Sequence, residues 1–392
     1  MRSIHLSLLG CLYILSGCMA LKPIPICEEV TGLEHSLGEG RTVSLLIVHG
    51  IGGYSEGDPD SLICGLVDEL GLCPTGTGCL RRVYGGTPSQ PMGWVQRDDY
   101  TDPYCGTNIR IYTVDWREAT WREKALLREL ERASCTEDRM VPMLYEGRKG
   151  FVNSGLADIA LYLGNFGRTI RYPLQQALRW VNEDAIGVPN HHLVLVSYSM
   201  GCHLLLAALD DLCEGDLDAS AEPSCQTVRR QLIEDLSAFF MLSSELPLLY
   251  FAEIDPPAKN YVFHDSVGCE FCAHCYSSAE LDEPKESPKW HWDRTSLGRL
   301  ILDKRALDPD FQIVVINDPN DLLSYTVEDV FLPEGARKDV FANIGVRNVK
   351  YSLFGYYADP IQAHEGYGKN PNVIRILAHG TCPEKCQCRR CR

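Results

Sequence analysis

The sequence has no basic excess: 37 lysines and arginines stand against 53 aspartates and glutamates, a formal charge of −16. No lysine or arginine block precedes the closing Arg389-Arg390-Cys391-Arg392, so nothing offers to neutralise a phosphate backbone and nucleic acid is excluded as a partner. No repeat of about 20 to 50 residues recurs, which argues against a solenoid or propeller. The apolar run near the start, residues 4–14, is too short to cross a bilayer as a stable helix. The cysteines never complete the C-x2-C-x2-C-x3-C-P run of a bacterial iron–sulfur site, so no such cluster is expected, and no cofactor is assigned. What is present, 45% hydrophobic and 23% charged residues over 392 positions, suits a globular chain of one large domain with insertions or of two smaller ones.

The start itself is an export signal: Arg2, the apolar run, then Leu15-Ser16-Gly17-Cys18. Small residues directly before a cysteine resemble the lipobox of bacterial lipoproteins. The resemblance implies cleavage of residues 1–17, a lipid anchor on Cys18, and a place in the bacterial cell envelope, at the periplasmic side of the outer membrane. Residues 18–40 would be anchor and linker. Loss of Arg2 takes the mature charge to 36 minus 53, or −17. With Cys11 removed and Cys18 acylated, 16 of the 18 cysteines remain to fold in an oxidising compartment, where disulfides are expected.

Strands are expected at 43–48, 109–114, 192–196, 236–242, 311–316 and 349–354, and helices at about 116–133, 153–182, 200–209 and 372–378. Their alternation argues for an α/β fold, a mostly parallel central sheet covered by helices. Residues 54–106, rich in Gly, Pro, Asp and Cys, read as a long loop insertion stapled by Cys64, Cys73, Cys79 and Cys105. Residues 247–305 read as a Cys-rich cap insertion with many aromatics, and 382–392 as a Cys-rich tail behind a domain spanning 41–381.

Acyl transfer by a serine needs a protruding hydroxyl, a base, a carboxylate to orient the base, and donors for the oxyanion. Ser199 lies in Ser197-Tyr198-Ser199-Met200-Gly201, between an apolar strand and an apolar helix. Upstream, His49-Gly50-Ile51 ends an early strand at a glycine turn. Downstream come Asp318-Pro319-Asn320-Asp321-Leu322 and then Ala363-His364-Glu365.

These segments resemble the α/β-hydrolase superfamily, in particular its lipase-like and esterase-like bacterial members, although Ser197 replaces the usual glycine of the G-x-S-x-G elbow. The family order of nucleophile, acid and histidine implies a triad of Ser199, Asp321 and His364, with Asp318 as the alternative acid and Asp255 behind it. The amides of Ile51 and Met200 would form the oxyanion hole. The implied activity is hydrolysis of carboxylic esters, small-molecule or lipid, with acyl transfer on the same triad as one alternative. A catalytically silent Cys-rich binding scaffold is the other.

Two cysteine clusters stay open between disulfides and zinc: Cys269, Cys272 and Cys275 in the cap, and Cys382, Cys386, Cys388 and Cys391 at the end. Cys213 and Cys225 bracket an acidic loop that a local disulfide could close. Cys202, on the apolar helix after Ser199, reads as a small buried side chain.

Overall fold

The computed structural model describes residues 28–51, 58–76, 78–85, 90–133, 140–142, 145, 148–213, 224–250, 295–308, 311–327, 340–349 and 358–381. Cys18, Asp255, both terminal segments, the two cysteine clusters and most of the 247–305 cap lie outside the described residues.

In chain order the elements are β1 (Val30–Thr31), β2 (Thr42–Val48), α1 (Asp58–Leu70), β3 (Cys73–Pro74), β4 (Cys79–Tyr84), β5 (Pro91–Thr101) and β6 (Asn108–Asp115). Then come α2 (Trp121–Ala133), a π-helical stretch Arg148–Leu156, α3 (Ala157–Leu163), α4 (Gly167–Ala185), β7 (His191–Tyr198) and α5 (Met200–Asp210). The chain continues with α6 (Cys225–Asp235), β8 (Leu236–Leu242), the short α7 (Leu246–Leu249), α8 (Ser296–Arg305), β9 (Ile313–Asn317) and β10 (Phe341–Gly345). It closes with α9 (Pro360–Glu365), α10 (Pro371–His379) and β11 (Gly380–Thr381).

The central sheet runs β10-β9-β8-β7-β2-β6-β5-β3, with β4 also on β5. The six strands from β10 to β6 are parallel, but β5 pairs antiparallel with β6, and β3 and β4 pair antiparallel with β5. The sheet is therefore mixed rather than simply parallel.

Its two faces follow from residue parity. Leu46, Val48, Leu193, Leu195, Phe239, Met241, Ile313 and Val315 pack on one side with α4, α5 and α8. Val43, Leu45, Ile47, Val194, Val196, Phe240, Val314 and Ile316 pack on the other with α1 and α10. A strand that is apolar on both faces needs a helical layer on each, and the chain supplies both.

Two expectations need correction, and a third lies outside the described residues. The 54–106 segment is not a loop: it forms α1 and the antiparallel strands β3, β4 and β5, whose exposed edge explains the weak apolar periodicity. Cys64, Cys73, Cys79 and Cys105 do not staple it; all four are free. Cys73 and Cys79 pair with Thr101 and Arg97 of β5, four residues apart and hence about 13 Å along the strand, beyond the reach of a disulfide. Cys105 instead lies 2.7 Å from Asp102 Oδ2. Finally, the sixth parallel strand is Phe341–Gly345; the expected 349–354 falls almost wholly outside the described residues. Cys213–Cys225 is a disulfide and Cys202 is free and buried.

A separate two-residue ladder pairs β1 with β11, Val30 against Thr381 and Thr31 against Gly380. The Thr381 hydroxyl donates to the Glu28 carbonyl beside it. No helix among the described residues is long and apolar enough to cross a membrane.

Candidate active site

The sharp passage from β7 to α5 fixes Ser199. Its backbone sits at φ 51° and ψ −130°, a conformation that L-residues avoid and that costs on the order of 1–3 kcal/mol. The surroundings hold it there. The Ser199 amide donates to the Leu242 carbonyl of β8 at 2.9 Å, and the Ser199 carbonyl accepts from the Cys202 amide at 3.0 Å.

Two glycines allow the close approach. A Cβ on Gly201 would stand 2.4 Å from the His49 carbonyl oxygen, and one on Gly50 would stand 2.6 Å from Ser199 Cβ. The end of β2 is thus pressed against the elbow. Ile51 follows Gly50 directly and Met200 follows Ser199, so the segments carrying both candidate oxyanion donors flank the hydroxyl. His49 braces this corner: its ring stacks on Trp116 with centroids 4.9 Å apart, and its Nδ1 lies 2.8 Å from the Gly50 carbonyl.

His364 arrives on the last turn of α9, a helix whose N-terminus is capped by Asp359 through the amides of Ile361 and Gln362. Its Nε2 lies 3.1 Å from Ser199 Oγ and its Nδ1 lies 2.9 Å from Asp321 Oδ1. Asp321 sits in the turn after β9, where it also accepts the Leu323 amide at 3.0 Å. Asp318 is occupied elsewhere. Its carboxylate accepts the Asn320 amide at 2.9 Å and the Asn348 amide at 2.6 Å, which ties the acid turn to the loop after β10. The structure thus brings Asp321, rather than Asp318, to the imidazole.

Three residues that the sequence reading passed over complete the cluster. Ser243, at the end of β8 with φ 53°, donates to Asp321 Oδ2 at 2.6 Å and stands 2.8 Å from His364 Nδ1. The Tyr367 hydroxyl donates to Asp321 Oδ2 at 3.2 Å and accepts the Asp318 amide at 2.6 Å. Glu245 Oε1 stands 2.6 Å from Ser199 Oγ and 3.9 Å from His364 Nε2. The missed signal was Ser243-Ser244-Glu245 itself, a polar trio at the carboxyl end of the largely apolar strand β8, which neighbours β7. In parallel sheets that edge is where ligands bind.

Burial works against a charge on Asp321, but the His364 hydrogen bond and charge, the Ser243 hydroxyl and the Leu323 amide outweigh it and hold the carboxyl below its ordinary value. Burial likewise opposes an imidazolium at His364, yet the Asp321 bond and charge, with Glu245 and Glu365, raise its pKa. Burial raises Glu245, and the charge of Asp321 adds to it, against the Ser199 hydrogen bond and the His364 charge.

Distances alone do not make such a site. Ser44, His191 and Asp235 form a second chain of the same kind, with Ser44 Oγ 2.9 Å from His191 Nε2 and His191 Nδ1 2.7 Å from Asp235 Oδ2. Ser44, however, lies in the middle of β2, inside the sheet. Ser199 differs in standing at the carboxyl edge, on a strained turn between strand and helix. Among the described residues no group of three or more His, Cys, Asp or Glu side chains is arranged to hold a metal ion.

The fold and cluster define a class: an α/β protein with a mixed sheet flanked by helices, bearing a serine–histidine–aspartate hydrogen-bond chain at the carboxyl edge. Compared with known proteins, the chain matches no family model and no curated sequence.

Proposed function

We propose that this protein is a serine hydrolase of the α/β-hydrolase type that cleaves carboxylic esters. The observation that carries the reading is the hydrogen-bond chain from Ser199 Oγ through His364 to Asp321, with the serine on a strained elbow. The order of the three along the chain supports it as well.

In this reading Ser199 Oγ attacks the ester carbonyl carbon while its proton passes to His364 Nε2. The carbonyl electron pair moves to the oxygen, which the Ile51 and Met200 amides receive. Asp321 keeps the imidazole in the tautomer with Nδ1–H and stabilises the imidazolium. The alcohol leaves with the imidazolium proton, and water, activated by the same base, releases the acid. Because His364 works as a neutral base and its pKa is raised, activity should rise with pH through a midpoint above the usual imidazole value. The lipid anchor at Cys18 and the envelope location belong to the same proposal, on the N-terminal sequence alone.

A fluorophosphonate probe should label the folded protein and leave Ser199→Ala unlabelled. Hydrolysis of p-nitrophenyl esters of graded chain length should fall on the order of 10⁴-fold in Ser199→Ala and in His364→Ala. Labelling that persists in Ser199→Ala, or no labelling of oxidised, folded protein, would refute the reading.

A further inference from the structure

Ser199 Oγ carries one proton and faces two acceptors. Glu245 Oε1 is at 2.6 Å and His364 Nε2 at 3.1 Å. The imidazole, donating its Nδ1–H toward Asp321, presents a lone pair at Nε2. Only one of the two neighbours can receive the hydroxyl proton. The other contact must then be made by a group that brings its own hydrogen.

Resting on the hydrolase reading, we infer that Glu245 is a further catalytic residue: protonated, it donates to Ser199 Oγ and turns the serine proton toward His364; ionised, it takes that proton and idles the nucleophile. In the protonated state one lone pair of Oγ accepts from the carboxyl O–H and the other attacks the carbonyl carbon. The hydroxyl proton goes to Nε2 and the carboxyl proton stays on Glu245. In the ionised state a negatively charged acceptor at the shorter distance outcompetes a neutral one. The lone pairs of Oγ and Nε2 then face each other and no proton can move to the base.

The surroundings of Glu245 favour the protonated form. The side chain is 1% exposed, and its second oxygen, Oε2, has no hydrogen-bond partner among the described residues. An ionised carboxylate with one unsolvated oxygen is costly to bury, whereas a neutral acid leaves only a carbonyl unpaired. The groups that face it are the Ser199 hydroxyl from the elbow, His364 from α9, Asp321 from the turn after β9 and the Cys202 thiol from α5. Of these the Ser199 hydrogen bond and a protonated His364 favour a carboxylate, against burial and the charge of Asp321, and a protonated His364 is itself unable to act as base. The sum of charges is the same whether the one proton sits on Glu245 or on His364, but only the first arrangement is reactive.

The test is the pH dependence of fluorophosphonate labelling, compared among wild type, Glu245→Gln and Glu245→Leu. The wild-type rate should rise as His364 loses its proton and then fall about tenfold per pH unit as Glu245 ionises. Glu245→Gln donates through its amide without ionising, so its alkaline decline should vanish. Glu245→Leu should be slower at every pH, also without the decline, and it serves should the amide variant fail to fold. A wild-type rate that stays level into alkaline pH, or a decline shared by both variants, overturns the role of Glu245 while leaving Ser199 reactive. Absence of any Ser199-dependent labelling is a different result, which removes the hydrolase reading and this role together.

Discussion

At Gly201 a single added methyl group would collide with main chain rather than with a side chain that could swing away. The His49 carbonyl oxygen and carbon would lie 2.4 and 2.9 Å from the new Cβ. Gly201→Ala should therefore destabilise the protein by about 1–3 kcal/mol, toward the upper end, because overpacking here has to move a strand relative to a helix. Urea unfolding monitored by circular dichroism reads this directly. A midpoint equal to that of wild type would mean that the two elements are not in the contact described. This constraint was legible in the sequence, since a small residue two places after Ser199 is what a tight strand-to-helix elbow demands. Ser243, Glu245 and Tyr367 were not. The polar trio 243–245 after an apolar strand marks a sheet end but assigns no role, and these residues reach the cluster because β8 lies beside β7 and because the Tyr367 hydroxyl bonds the acid turn.

Between elements, a buried ion pair joins α2 to α3. Lys124 Nζ donates to both oxygens of Asp158, at 2.9 and 3.1 Å, and the Thr120 hydroxyl adds a third bond at 2.9 Å. Both charged side chains are buried. Removing one partner strands the other charge in an apolar setting, so Asp158→Ala should lower stability by about 3–5 kcal/mol. The double variant Asp158→Leu with Lys124→Met should recover most of that loss. Equal thermal unfolding of the single and double variants would contradict the account. At this scale the sequence was informative where strands are apolar on both faces, as in β2, β7 and β8. It misled where a strand is polar and exposed or half exposed, as in β4 and β5, and where the strand at the far edge of the sheet reads Phe-Ala-Asn-Ile-Gly, as in β10. Asn343 explains the last case: its side chain turns aside to bond the backbone of Val327 at 3.1 and 2.9 Å, a role that a propensity cannot foresee.

For the molecule as a whole, the buried titratable groups set a window of stability. Asp115 is opposed by burial, yet its bonds with His49 and Arg117 hold it far below the ordinary carboxylate range. Asp321 is held low as well, and His364 and Glu245 are raised. A carboxyl with a depressed folded value contributes stability above its unfolded value, about pH 4, and loses it as pH falls toward the folded one. A group with a raised folded value contributes below its unfolded value and loses that contribution as pH rises through the folded one. Resistance to denaturant should thus peak between these limits. Asp115→Asn should be less stable than wild type near neutrality, and the gap should narrow below about pH 4. A gap unchanged from neutral to acidic pH would show that the stabilisation at this position is not ionic.

The short ladder between β1 and β11 gathers the two outermost described segments into one clasp. Any tug on the chain ahead of Val30, whether from a lipid or from a surface to which the protein is grafted, meets that clasp before it meets β2. Part of the strain is then handed to α10 and the far end of the polypeptide. The elbow at Ser199 lies on the central sheet, not on this clasp.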